Sequence, residues 1–303
     1  MLINLLIALL PSLGFGTMSL LNVRLGGDDR QKAMGMYGGG FLVSLIALPF
    51  IGFDTTPERF LIGVGTGALL GMGIFYQLAG FQRIGVSRMM PISTGAQLVS
   101  MAIGGVLLFG EWSGPGALPV GLGALVLLIG GIVAISWSEK DEDLAAERSL
   151  DWRGGIIMLV LSTIGLVSYL LIQRSFDIGG TEVMFPQATG YLLGGLILTT
   201  PKLSPWEGPT DTRWAAPTLR QFIPGALWGI SLLIMQTSAE RVGVAAGFSL
   251  AQLGIIISTF GGILWLGEHR TRKEMMATIA GVALVIGGAV LIGVAKSLDA
   301  AAA

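Results

Sequence analysis

Gly104-Gly105-Val106-Leu107-Leu108-Phe109-Gly110-Glu111 returns later in the chain as Gly261-Gly262-Ile263-Leu264-Trp265-Leu266-Gly267-Glu268, 157 residues on. Arg83-Ile84-Gly85-Val86 returns as Arg241-Val242-Gly243-Val244, 158 residues on. Upstream, Gly67-Ala68-Leu69-Leu70-Gly71 pairs with Gly225-Ala226-Leu227-Trp228-Gly229, and downstream Gly130-Gly131 pairs with Gly287-Gly288, at those same offsets. Chance produces single matches in apolar sequence, but four colinear ones mark an internal repeat of about half the chain.

The repeat is built from membrane-spanning helices. Of 303 residues, 52% are apolar and only 12% charged, against about 25% charged in a soluble domain. Ten apolar stretches approach the roughly 20 residues that cross a bilayer: 2–22, 34–53, 60–81, 90–109, 119–137, 155–173, 183–200, 222–238, 247–266 and 275–294. Nearly every charge falls between them. The expected fold is therefore an all-α polytopic membrane protein. Residues 1–137 form the first five-helix repeat, 138–153 a connecting loop, 154–296 the second repeat and 297–303 a disordered tail. Five is odd, so the second unit enters the membrane from the opposite side and the repeats are inverted.

Lys and Arg are retained in cytoplasmic loops. Fourteen fall on the side of the 138–153 loop and four, Arg59, Arg174, Arg241 and Lys296, on the other. This count places both termini outside the cytoplasm. The opening stretch has no basic residue after Met1, which reads against a cleaved secretory signal.

Composition also excludes whole classes of function. A net charge of −1 offers no basic field for nucleic acid. Zero cysteines and one histidine, His269, remove thiolate and imidazole metal sites. No nucleophile–base pair suggests an enzyme and no cofactor is expected. A sensor or scaffold would leave the inverted repeat without a purpose. The 47 glycines, as in Gly63-x-x-x-Gly67-x-x-x-Gly71, suit close helix packing.

Polar side chains inside the spans are the candidate substrate ligands, because burying them against lipid is costly. The middle of the spans carries amides, hydroxyls and aromatic rings and no ionisable acid or base. Tyr76 and Gln77 lie on the third stretch, Ser93, Thr94, Gln97 and Ser100 on the fourth, and Ser162, Thr163, Ser168 and Tyr169 on the sixth. Trp228, Ser231, Gln236 and Thr237 lie on the eighth, with Ser249, Gln252, Ser258 and Thr259 on the ninth. Amides donate and accept, so they match sugar hydroxyls, while Trp228 can stack on the apolar face of a sugar ring. The shortlist is Gln97, Gln252, Gln77, Trp228, Ser93, Thr94, Tyr76 and Gln236.

Ile84-Gly85-Val86-Ser87-Arg88-Met89-Met90-Pro91-Ile92-Ser93-Thr94-Gly95-Ala96-Gln97-Leu98, followed by Phe109-Gly110-Glu111-Trp112, resembles the signature of the bacterial glucose and ribose uptake permeases. Those permeases belong to the drug/metabolite transporter (DMT/EamA-like) superfamily. The opening Ile7-Ala8-Leu9-Leu10-Pro11-Ser12-Leu13-Gly14-Phe15-Gly16 is similar to that family's first helix. Arg88 stands where lysine is expected, which keeps the charge. The resemblance implies secondary sugar uptake across the bacterial inner membrane, driven by protons and carried out among membrane lipid. It leaves open the sugar and the number of copies that assemble. Glu111 and Glu268, at equivalent helix ends, are the proton-coupling candidates, with Glu182 as a third. If neither of the paired glutamates titrates, facilitated transport is simpler. The rival within the superfamily is an exporter of amino acids or other small metabolites.

Overall fold

In hydrocarbon no water is available to bond a bare backbone amide, so each spanning segment must satisfy its own N–H and C=O groups, and a helix does this. The computed structural model describes residues 2–52, 55–137, 150–242 and 251–302. Among them every regular element is helical and none is a strand. The longer helices are α1 (Leu2–Arg24), α2 (Asp29–Ile51), α3 (Pro57–Ile84), α4 (Val86–Phe109), α5 (Ala117–Ser136) and α6 (Trp152–Ser175). They continue as α7 (Met184–Leu198), α8 (Phe222–Val242), α9 (Gly254–Leu264) and α10 (Arg272–Ala302). Eight of these segments are long and apolar enough to cross a membrane. The other two, α7 and α9, have 15 and 11 residues, although stretches 183–200 and 247–266 read as full spans in the sequence. The start of α7 is tightened into a 3₁₀ turn, Gly180–Val183, and residues 243–250 lie outside the described set. Most of the 138–153 loop lies outside it too.

Local chemistry sets the helix ends. Asp28 and Gln31 form a reciprocal capping box at the start of α2. Thr56 followed by Pro57 starts α3, and Asp151 caps α6. Gly85 and Gly110, at φ 82° and 64°, turn the chain at either end of α4 in a region that other residues avoid. α10 continues as helix through residues 297–302, where the sequence suggests a disordered tail. The alanine run there has the highest helix propensity of any residue type.

α3 packs on α6 and α7, and α8 packs on α1 and α2. α1 also meets α9, α6 meets α4, and α4–α5, α2–α7, α4–α9 and α5–α10 are further large contacts. Backbone contact carries the α3–α7 pair. A Cβ at Gly67 would lie 2.1 Å from the Gln187 carbonyl, and one at Gly190 would lie 2.0 Å from that of Val64. Large apolar side chains such as Phe50 and Leu264, 85% and 81% exposed, cover the lateral surface, as lipid contact requires. The chain is a multi-pass membrane protein.

The first turns of α2 depart from the sequence reading. The helix begins at Asp29, five residues ahead of the apolar stretch, and Asp29, Arg30 and Lys32 are all buried. The segment between α7 and α8 folds over them as an ordered strap, containing Pro205–Glu207 and a helical turn at Ala216–Arg220.

Gly67→Val should drive a side chain into the α7 backbone and lower stability by about 1–3 kcal/mol. Gly65→Ala, which meets open space, should change it by less than about 0.5 kcal/mol. Thermal unfolding in detergent compares the two, and equal shifts would contradict the close α3–α7 contact.

Candidate functional site

Six helices converge on a cavity of about 110 Å³. α3 and α4 contribute Gln77, Thr94 and Gln97, and Gln252 enters from the turn ahead of α9. Trp228 on α8 and Tyr169 on α6 supply the aromatic walls. Phe15, Met18, Met90 and Met235 complete much of the apolar lining, and no charged side chain is among the described lining residues.

One hydroxyl organises the polar side. Gln77 Nε2 donates to Ser93 Oγ at 3.0 Å, and Gln97 Nε2 donates to the same oxygen at 2.9 Å. Ser93 is fully buried. A serine oxygen carries two lone pairs, so the two amides use both. Each amide then has a second N–H and a carbonyl oxygen to present to a solute. On α4 the four-residue spacing from Ser93 to Gln97 puts both on one face. Opposite, Trp228 is held edge-on by Tyr191, their ring centroids 4.9 Å apart at 60°. Tyr191 in turn packs beside Tyr37, whose hydroxyl donates to the Gly71 carbonyl at 2.6 Å.

Of the sequence shortlist, Gln77, Thr94, Gln97, Trp228 and Gln252 meet at this cavity and Ser93 stands directly behind it. Tyr76 and Gln236 do not line it. Tyr76 stacks with Phe75 and Trp206, at 5.3 and 6.5 Å, under the strap. Gln236 donates to Gln187 Oε1 at 3.4 Å. Tyr169 belongs to the cavity but was outside the shortlist; its signal is its three-residue spacing from Leu166, which puts both on the cavity face of α6. Ser249 lies outside the described residues.

The helix-end glutamates are both engaged away from the cavity. Glu111 forms an ion pair with Arg174. The Glu268 carboxylate accepts from the backbone N–H groups of Val86 and Ser87 at 2.6 and 2.9 Å, so it caps α4 from the α9–α10 connection. Glu182 pairs with Arg59 at 2.7 Å.

A denser network closes the face that carries Glu268. Arg30, fully buried, donates to Ser204 Oγ at 2.7 Å and to the carbonyls of Ser204, Gly208 and Thr210 at 2.6, 2.7 and 2.5 Å. Gln221 bridges to Asn22 and to the Gly26 carbonyl. Together these contacts pin the strap to α1 and α2. Arg83 reaches Asp29 at 3.4 Å and Asp151 at 3.8 Å, and lies 5.7 Å over the Trp206 ring. In the exposed part of the strap, the Arg213 guanidinium holds the Asp211 carboxyl below its ordinary range.

Residues 6–295 match a family described as "Sugar transport protein". The chain belongs to this family. Its members are transport proteins and not enzymes. The chain is 38% identical to the "Glucose uptake protein GlcU" of Bacillus subtilis, over 97% of this chain and 99% of that one. A Listeria innocua relative named for sugar uptake is 42% identical over 97% of this chain and 99% of its own. A solved structure titled only "Crystal structure of protein" has the same fold at TM-score 0.59 and 16% identity, over 95% of this chain and 97% of that one.

Ser93→Ala should strand an N–H on buried Gln77 and remove the acceptor of half-buried Gln97, and cost about 1–3 kcal/mol. Ser136→Ala removes a hydroxyl that only returns to the Ile132 carbonyl of its own helix, and should cost less than about 0.5 kcal/mol. Denaturation midpoints of the two variants decide the matter; indistinguishable values would contradict the shared-acceptor arrangement.

Proposed function

We propose that this chain is a secondary carrier that takes up small neutral sugars of the glucose and ribose type across the bacterial inner membrane. The observation that carries the reading is the uncharged cavity at which Gln77, Gln97 and Gln252 face Trp228 and Tyr169. Amide groups match hydroxyls in both donor and acceptor sense, and the indole offers a flat apolar surface to a pyranose or furanose ring. The family membership and the glucose uptake name of the Bacillus subtilis relative agree with it.

The carrier works by alternating access between two inverted five-helix halves, ten spanning helices in all. The packing supports this. Exchanging each of α1–α5 with the helix five places later turns the α3–α6 contact into α8–α1, α3–α7 into α8–α2 and α1–α9 into α6–α4. The pairs α2–α7, α4–α9 and α5–α10 map onto themselves, while the α4–α5 contact has no α9–α10 counterpart of its extent among the described residues. An equivalent two-fold relation lets either half adopt the other's conformation, which exposes the central site to each side in turn. The surplus of Lys and Arg in the loops on its side supports a cytoplasmic strap with both termini outside. Sugar enters with a proton, and the amides and the indole at the cavity have no acidic proton to supply it.

Uptake of labelled glucose, ribose and rhamnose into proteoliposomes, with and without an inward proton gradient, tests the reading. One sugar should accumulate faster with the gradient. Gln97→Ala should raise its half-saturation concentration about tenfold, equivalent to the loss of roughly 1.4 kcal/mol of binding. Absence of uptake for every sugar, with amino-acid efflux in its place, would replace this proposal by the exporter reading.

A further inference from the structure

Asp29 and Glu207 form a contact that neither the cavity nor the helix-end glutamates explain. Asp29 opens α2 and is 1% exposed. Its Oδ2 accepts the indole N–H of Trp206 at 3.0 Å and lies 3.4 Å from Arg83. Its Oδ1 is buried and has no hydrogen-bond partner. Glu207, on the strap, takes the Asp29 backbone N–H on Oε1 at 3.2 Å, which sets its carboxyl beside that of Asp29. Two ionised carboxylates only accept, so Glu207 can satisfy the buried Oδ1 of Asp29 only when one of the two acids carries a proton.

The charges around the pair do not remove that need. Asp28 on the same helix turn adds a third acid facing Glu207. Lys32 of α2 faces Asp28, Asp29 and Glu207, and Arg83 of α3 is divided between Asp29 and Asp151 at the start of α6. Arg30 is occupied by strap carbonyls and the Ser204 hydroxyl, Arg213 by Asp211, and Glu268 by the end of α4. Burial and the neighbouring Asp29 push the Glu207 carboxyl up to about 7.

We infer that Asp29 and Glu207 are a proton-binding pair that latches the strap over this face of the carrier. The inference rests on the alternating-access reading and supplies a proton site for it, distinct from Glu111 and Glu268. One proton, held between Glu207 and the open oxygen of Asp29, keeps Trp206 seated on Phe75, Tyr76 and Arg83. Opening separates the carboxyls, restores Glu207 to solvent and returns the proton to bulk water on that side. Because the closed form holds its proton more tightly than the open form, closure is favoured at acid pH and is lost as pH rises through about 7.

The chain has no cysteine, so one introduced thiol reports the latch without a background. Ala79, fully buried on α3 between the turns of Tyr76 and Arg83, lies on the face that Trp206 covers. Maleimide labelling of Ala79→Cys in the detergent-solubilised full chain is divided, at each pH, by labelling of the exposed control Lys202→Cys. This ratio should rise about tenfold from pH 6 to pH 8, with its midpoint near 7. Glu207→Gln, which keeps the donor and cannot ionise, should hold the ratio at its acid value throughout. A flat ratio in the Ala79→Cys parent, or a Glu207→Gln variant that follows the parent curve, would overturn the latch. Should Glu207→Gln fail to fold, Glu207→Asp serves: the shorter side chain must move the midpoint to lower pH, and an unchanged midpoint overturns the inference. Sugar uptake is scored separately. A preserved midpoint without uptake of any sugar removes the sugar reading and leaves the latch. A flat ratio beside gradient-stimulated uptake does the reverse.

Discussion

A polar side chain inside a bilayer has to bring its hydrogen-bond partners with it, because the surroundings supply none. Ser93 meets this demand for two glutamines at once, and its single oxygen fixes the spacing of Gln77 and Gln97 across the α3–α4 contact. Arg30 meets it at the closed face, with four acceptors drawn from one segment of chain. The difference between the two sites is functional. At the closed face the demand of Arg30 is met by strap groups, so the strap is held in place. At the cavity each amide retains bonding capacity, so a solute that offers hydroxyls can complete it.

Close helix approach makes this economy of polar groups workable. Gly67 and Gly190 bring the α3 and α7 backbones into contact, and that contact positions Tyr191 to brace Trp228. Small residues therefore act on the site at one remove: the aromatic wall stands where the glycines allow the helices to meet. The contact of α8 with α2 places Trp228 itself.

Much of this was legible in the sequence. Apolar stretches marked the helices, since hydrocarbon tolerates little else, and the amide residues marked the cavity because each was a costly burial. Five of the eight shortlisted side chains line the cavity and Ser93 supports it. The failures have physical causes. Tyr76 sits one residue from Gln77 and so faces a different neighbour, the strap, because successive helical residues point about 100° apart. Asp29, Arg30 and Lys32 looked like loop charges since hydropathy counts side chains and cannot see the strap that satisfies them. The importance of Glu207 was invisible for the same reason: its partner is 178 residues away in the chain.

The central claim is that a neutral sugar binds at the cavity against Trp228. Tryptophan emission of the purified carrier, titrated with glucose and ribose and compared with Trp228→Phe, tests it most directly. The account predicts a saturable change in the parent for the sugar that is transported, absent from the Trp228→Phe difference signal. An identical sugar-dependent change in both proteins would place the sugar elsewhere and contradict the account.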